Sequence, residues 1–300
     1  MPIRPWAKKY VVSWALRWCS NPRRTEIAGQ ALQKLVNVLD RFTVQAQDMQ
    51  RRVATAKQNV PVEIFNFDRT ARLSISVMSP HAPWLGVLPA TIDTPAMISR
   101  EEIQYYTYLG SFFEGRGRVV ELGSWLGAST QHIVLSLSNN PRFAGEQLYV
   151  FDDFTWRKDW MDQYVSAEER LPPHACFRHL FEKYTADVRQ LLNVQRVKIA
   201  DYDGNEGLPM LAWCGDPIEM LYVDCGRTYA VNEAWYNHFE SSFIPGRTLI
   251  VMQDWRTHRE VPRKSFNQTL TFSESKHDTL LLLHEVQSGG LATFLFTGKG

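Results

Sequence analysis

Residues 119–129 read Val-Val-Glu-Leu-Gly-Ser-Trp-Leu-Gly-Ala-Ser, an apolar run ending at an acid, then two glycines ahead of a helical pattern. A strand ending near Glu121 must turn sharply, and Gly123 allows backbone angles that a Cβ forbids. Gly127 is expected to let the next helix pack close to the strand, and that helix offers free N–H groups at its start. The unit points to an α/β sheet with a nucleotide-type cofactor at its first turn. An ordinary strand–helix turn with no ligand is the plainer alternative. The spacing Glu-x-Gly-x-x-x-Gly is not the Gly-x-Gly-x-x-Gly of dinucleotide binders, and nothing marks a pyrophosphate cradle. A ligand with hydroxyls and a cationic centre suits it better than a diphosphate.

From residue 99 onward, strand and helix patterns alternate, the sign of a mainly parallel sheet covered by helices on both faces. Ser99-x-x-Glu102 is a capping box and starts a helix running through Tyr108 and Phe112. Strands are expected at 118–122, 147–152, 195–200, 218–224 and 247–253. Residues 280–286 and 291–296 are two further β runs around Gln-Ser-Gly-Gly, a hairpin signal.

The rest of the chain differs in kind. In residues 1–60, apolar positions from Ala28 to Ala56 alternate four and three apart, a coiled-coil seam that predicts a homo-oligomer or a long helix packed on its own domain. Ahead of it Trp6, Tyr10, Trp14 and Trp18 recur every four residues among lysines and arginines. That stripe (residues 6–18) suits a peripheral membrane contact or a protein surface. Residues 61–98 read as a connector, with alternating runs near Phe65 and Leu73, and the catalytic domain is expected to occupy 99–300.

A net charge of +1 gives no global field for nucleic acid, and 44% hydrophobic residues suit one α/β domain with an appendage. Cys19, Cys176, Cys214 and Cys225 form no Cys-x-x-Cys pair and read as reduced thiols, pointing to the cytoplasm, with the inner membrane face as the site of any peripheral contact. No apolar run approaches the roughly 20 residues that span a bilayer, and Lys8, Lys9 and Arg17 interrupt any signal-peptide core.

The strand ends carry the chemistry. Leu148–Phe154 ends in Asp152-Asp153-Phe154, and a carboxylate at the carboxyl edge of the sheet can accept two hydrogen bonds from vicinal hydroxyls. A solvated acidic loop is the alternative. Ile199-Ala-Asp-Tyr-Asp203 follows the third strand, and Asp203-Gly204 is also a turn signal. The fourth strand runs into Asp224-Cys-Gly-Arg-Thr-Tyr229, and the fifth, after Pro245-Gly-Arg247, ends in Gln253-Asp254-Trp255.

With these residues in order, the chain resembles the class I S-adenosylmethionine-dependent methyltransferases over about two-thirds of its length. The likeness is strongest to the macrocin O-methyltransferase and cephalosporin-hydroxylase-like branch, whose loop reads Glu-x-Gly-x-Trp-x-Gly-x-Ser. The resemblance implies a Rossmann-like sheet closed by an antiparallel hairpin. It implies S-adenosylmethionine held by Glu121, Gly123, Ser124, Trp125, Gly127 and Ser129, its ribose by Asp152 and Asp153, its adenine near Asp201 and Tyr202. Asp224 and Asp254 would face the acceptor and, in metal-dependent relatives, a divalent ion such as Mg2+, to which Gln253 could add a ligand.

The chain departs from that pattern where a second acid would stand at Gly226, a histidine at Arg227 and a second glycine at Arg247. These changes weaken the expectation of a metal. His258, four residues past Asp254, is the most reachable general base, ahead of His174 and His179 in the aromatic insertion 155–190, which could cover an acceptor. His132 reads as a packing residue. The expected function is methyl transfer to a hydroxyl of a sugar, glycan or related small molecule. The other readings are a hydroxylase-like enzyme of the same branch and a weakened methyltransferase-fold protein serving assembly.

Overall fold

The computed structural model describes residues 82–255, 267–286 and 290–298. The chain divides into two compact units, Met1–Ala82 and Pro83–Gly300. The seam at 28–56, the stripe at 6–18, the runs near Phe65 and Leu73, and His258 lie outside the described residues. Among the described residues no helix is long and apolar enough to cross a membrane.

The second unit holds a seven-stranded sheet, β1 (Arg118–Leu122), β2 (Leu148–Asp152), β3 (Leu192–Arg196), β4 (Ile218–Val223), β5 (Leu249–Met252), β6 (Leu280–Glu285) and β7 (Ala292–Phe296). Their order is β3-β2-β1-β4-β5-β7-β6. The first five are parallel, and β7 runs antiparallel between β5 and β6. This is the mainly parallel sheet that the alternating pattern predicts, closed by an antiparallel hairpin in the Rossmann-like arrangement that the resemblance implies. Every residue of β4 is buried, as a central parallel strand covered on both faces requires.

The helices are α1 (Arg100–Leu109), α2 (Ala128–Ser138), α3 (Lys158–Met161), α4 (Arg178–Tyr184), α5 (Tyr229–Phe239) and α6 (Asn267–Ser275). Period-two alternation divides the sheet between its faces. Val120, Leu122, Leu221, Val223, Ile250 and Met252 meet Trp235, Phe239 and Phe272 of α5 and α6 in one core. The alternate residues meet α1 and α2: the Tyr222 ring stands 5.5 Å from Tyr106, and Glu121 bonds to Ser129 and Thr130.

Local signals hold where the contacts they need are local. Ser99 and Glu102 form both bonds of the capping box at α1. The compact unit starts ahead of Ser99, because Trp84 is buried on α1, its Nε1 donating to Glu101 at 3.0 Å. The third strand is displaced. Expected at 195–200, it occupies Leu192–Arg196, and beyond it Val197 and Ile199 leave the ladder to wall a cavity.

Two charged residues without an obvious place in the sequence prove structural. Glu219, fully buried at the start of β4, accepts the backbone N–H groups of Glu114 at 2.6 Å and Arg116 at 2.7 Å. Arg247 Nη1 lies 3.2 Å from Oε2 of Glu114, whose side chain is 6% exposed. Arginine therefore stands at 247 as a counter-ion for a buried carboxylate. Arg247→Gly is expected to lower unfolding stability by about 2–3 kcal/mol, since it strips that carboxylate of a close partner. Equal denaturant midpoints for the two proteins would contradict this role.

Candidate cofactor and acceptor site

Leaving β1, the chain crosses to β2 on one side, while β4 lies on the other. Such a reversal opens a crevice at the carboxyl ends of the strands, where open α/β sheets take ligands. A cavity of about 220 Å3 lies there, walled by Gly123 and Trp125 after β1, Asp152 and Asp153 at β2, and Asp224 and Arg227 after β4.

The turn after β1 is tightly specified. Gly123 has φ +80°, and a Cβ on it would stand 2.8 Å from the carbonyl oxygen of Asp224. Gly127 caps α2 with φ +88°, but its crowding differs from the expectation. A Cβ would meet Thr185 at 2.4 Å and Phe181 at 3.0 Å, so the glycine admits the end of the insertion rather than the strand. Glu121 lies beneath the turn, 1% exposed, accepting the hydroxyls of Ser129 and Thr130, each at 2.6 Å. Burial pushes its carboxyl up to about 7, against the two hydroxyl bonds that favour the charge. Glu121 and Ser129 are thus a brace between β1 and α2, not part of the cavity wall.

Asp152 is the hub of the turn. Its Oδ2 accepts Ser124 N–H at 2.7 Å and Trp125 N–H at 3.2 Å, and its Oδ1 accepts Phe154 N–H at 2.6 Å. It still lines the cavity, with acceptor capacity left on Oδ1. Burial, then the neighbouring Asp153, raise its carboxyl above the usual range. Asp153 is gripped in bidentate fashion by Arg157, at 2.6 and 3.1 Å, and the guanidinium also sits 4.9 Å from the Tyr202 ring centroid. Tyr202 reaches the cavity. Asp201 does not line it and pairs with Lys198 at 2.7 Å. The turn around Gly204 is instead organised by Asn205, which is buried, lines the cavity, accepts from Tyr202 N–H and donates to Asp153 and to the Ala200 carbonyl.

On the far wall Asp224 faces the cavity, and Asp254 lies beside it, bonded at 2.6 Å by Nε of Arg227. Burial, then the charge of Asp254, raise the Asp224 carboxyl well above its ordinary range. Gln253 turns the other way, accepting from Tyr106 and donating to Glu102 in a buried network. Among the described residues no group of three or more ligating side chains could hold a metal ion. The donor set does not suit Mg2+: one carboxylate already carries a guanidinium and the amide is spent elsewhere.

No histidine among the described residues lines the cavity. His174 pairs with Asp203 at 3.2 Å, His179 is exposed, and His132 is buried on α2 with its charge disfavoured by burial.

Three non-glycine residues with positive φ mark strand ends around the cavity: Trp125 (+45°), Phe154 (+50°) and Asp254 (+58°). Backbone held in this region costs of order 1–3 kcal/mol per residue and persists where the surroundings impose it. The buried Nε1 of Trp125 finds no hydrogen-bond partner among the described residues. Trp125 also packs its ring 5.8 Å from Trp160 and from Tyr164, forming an aromatic rim. Arg157 and Asn205 were missed in the sequence: Arg157 stands only four residues past Asp153, a spacing that could have marked the pair, whereas Asn205 is brought to Asp153 from 52 residues away by the fold.

No protein-family model and no curated protein matches the sequence. Among solved structures it is similar to CalS11, a TDP-rhamnose 3'-O-methyltransferase of calicheamicin biosynthesis, at 12% identity and TM-score 0.43, over 82% of this chain and 99% of that one. It is similar to the O-methyltransferase NovP at 14% and 0.41, over 68% and 82%. It is also similar to Aeropyrum pernix fibrillarin with bound S-adenosyl-L-methionine, at 12% and 0.36, over 64% and 73%. At this distance the functional reading stands on the geometry of the site itself.

Proposed function

We propose that the protein is an S-adenosylmethionine-dependent O-methyltransferase acting on a hydroxyl of a sugar or glycan. The observation that carries the reading is the acid-walled cavity at the first strand–helix turn. Asp152, Asp153 and Asp224 face it, with Asp254 beside them, against the two guanidinium groups of Arg157 and Arg227. Carboxylates raised by burial regain their charge most readily beside a cation. A sulfonium and an ammonium therefore suit this wall, and a diphosphate does not.

The fit extends to the neutral groups. The turn at Gly123–Trp125 would hold the amino-acid end, Asp152 and Asp153 the ribose hydroxyls, and Val197, Ile199 and Tyr202 the base. When bound, S-adenosylmethionine supplies a methyl group on a sulfur that leaves with the electron pair. The chain supplies the rest. Asp224 is the base: burial and the neighbouring Asp254 raise its proton affinity, so its carboxylate can take the acceptor proton as the oxygen forms its bond to carbon. The Trp125–Trp160 rim offers flat apolar surface to a sugar ring, which supports the glycan part of the reading.

Incubation with S-adenosylmethionine and a panel of sugar and glycan acceptors, read by mass spectrometry, tests this function. A product heavier by one methyl is expected, and Asp224→Asn should cut turnover by at least about 10²-fold. A wild-type protein that binds the donor yet methylates no hydroxyl in the panel would contradict the acceptor class.

A further inference from the structure

We infer that the guanidinium of Arg227 is the resident cation of the acceptor side, standing where a divalent metal would otherwise bridge Asp224 and Asp254. The inference rests on the proposed methyltransferase reading for its consequence, though not for its geometry.

Four observations converge. Asp224 and Asp254 follow the ends of adjacent parallel strands, Asp224 on the cavity wall, so two carboxylate charges there need a positive group between them. Arg227 supplies it: Nε meets Asp254 at 2.6 Å, and the same guanidinium favours the charge on Asp224. Next, a third ligand cannot be supplied from 226. A Cβ on Gly226 would stand 2.1 Å from Oδ1 of Asn232, and the Gly226 carbonyl is held by Asn232 at 2.7 Å and Thr269 at 3.0 Å. Finally, Gln253 is locked to Glu102 and Tyr106, with Glu102 also accepting Gly290 N–H at 2.7 Å.

Arg227 is not spent by this pairing. A guanidinium carries five N–H donors, and among the described residues Nε alone bonds to protein, on a side chain 54% exposed at the cavity wall. The remaining donors are placed to hold the acceptor oxygen while Asp224 receives its proton. A fixed guanidinium orients an oxygen as a metal would, but directionally and at any ambient metal level. Arg227 is thus a positioning residue for the base and a binding residue for the acceptor.

Mn2+ binding, followed by electron paramagnetic resonance of the free ion, tests this without an acceptor. The full-length wild-type protein is expected to leave about 1 mM Mn2+ unbound, whereas Arg227→Ala, with both carboxylates freed, should bind it at least about tenfold more tightly. Arg227→Lys, which keeps a cation at the pair, should stay silent and controls for folding. Tight Mn2+ binding by the wild type, or no gain in Arg227→Ala, would overturn the inference. S-adenosylhomocysteine titrated into the same proteins separates the two claims: its failure to bind would defeat the methyltransferase reading and leave the Mn2+ result standing.

Discussion

Replacing Glu121 by glutamine is expected to raise unfolding stability at pH 8 by about 3 kcal/mol and to flatten its pH dependence. The carboxyl is held up to about 7 in the folded chain by burial, against an ordinary value of 4.5. The folded state therefore binds the proton more tightly than the unfolded one. Stability is greatest below about pH 4.5 and falls as pH rises to about 7, where the buried group must ionise. Glutamine keeps the size and can still meet both hydroxyls, because Ser129 and Thr130 can accept as well as donate. Urea unfolding of the two proteins from pH 4 to 8 checks this, as curves that stay parallel would show that Glu121 does not carry a raised carboxyl. A charge kept under the cofactor turn at that cost fits a site built for a cation, so the stabilised variant is also expected to bind S-adenosylmethionine more weakly.

The second large effect concerns Asp152. Its two oxygens gather three backbone N–H groups, those of Ser124, Trp125 and Phe154. Asp152→Ala would leave these donors without their acceptor, at about 1–3 kcal/mol for each that stays dry. The expected result is a fall of roughly 3–5 kcal/mol in unfolding stability together with loss of cofactor affinity. Asp153→Ala offers the contrast, because its main partner is the side chain of Arg157 rather than the turn. An Asp152→Ala protein that melts with the wild type would refute the hub, whatever its binding.

What the sequence revealed follows from the range over which each signal acts. The strands at 118–122 and 218–223, the capping box at Ser99 and the final hairpin depend on local pattern, and all stand at or within a residue or two of their expected places. The third strand slipped because Val197 and Ile199 are as apolar as ladder residues yet wall a cavity. Asp201 and Asn205 exchange prominence for a related reason. An exposed acid and a buried amide look alike in a polar loop until the fold brings Asp153 to one of them. Arg227 read as a damaged motif, and only its 2.6 Å contact with Asp254, 27 residues away, gives it a positive role.

Calorimetric titration with S-adenosylmethionine and S-adenosylhomocysteine at several pH values tests the central claim most directly. Both ligands should bind. The sulfonium form should gain affinity relative to the neutral thioether as pH rises, with proton release, because Asp152 and Asp224 must ionise to meet the added positive charge. No heat from either ligand at about 1 mM, a level at which even a contact of about 4 kcal/mol would register, would contradict it.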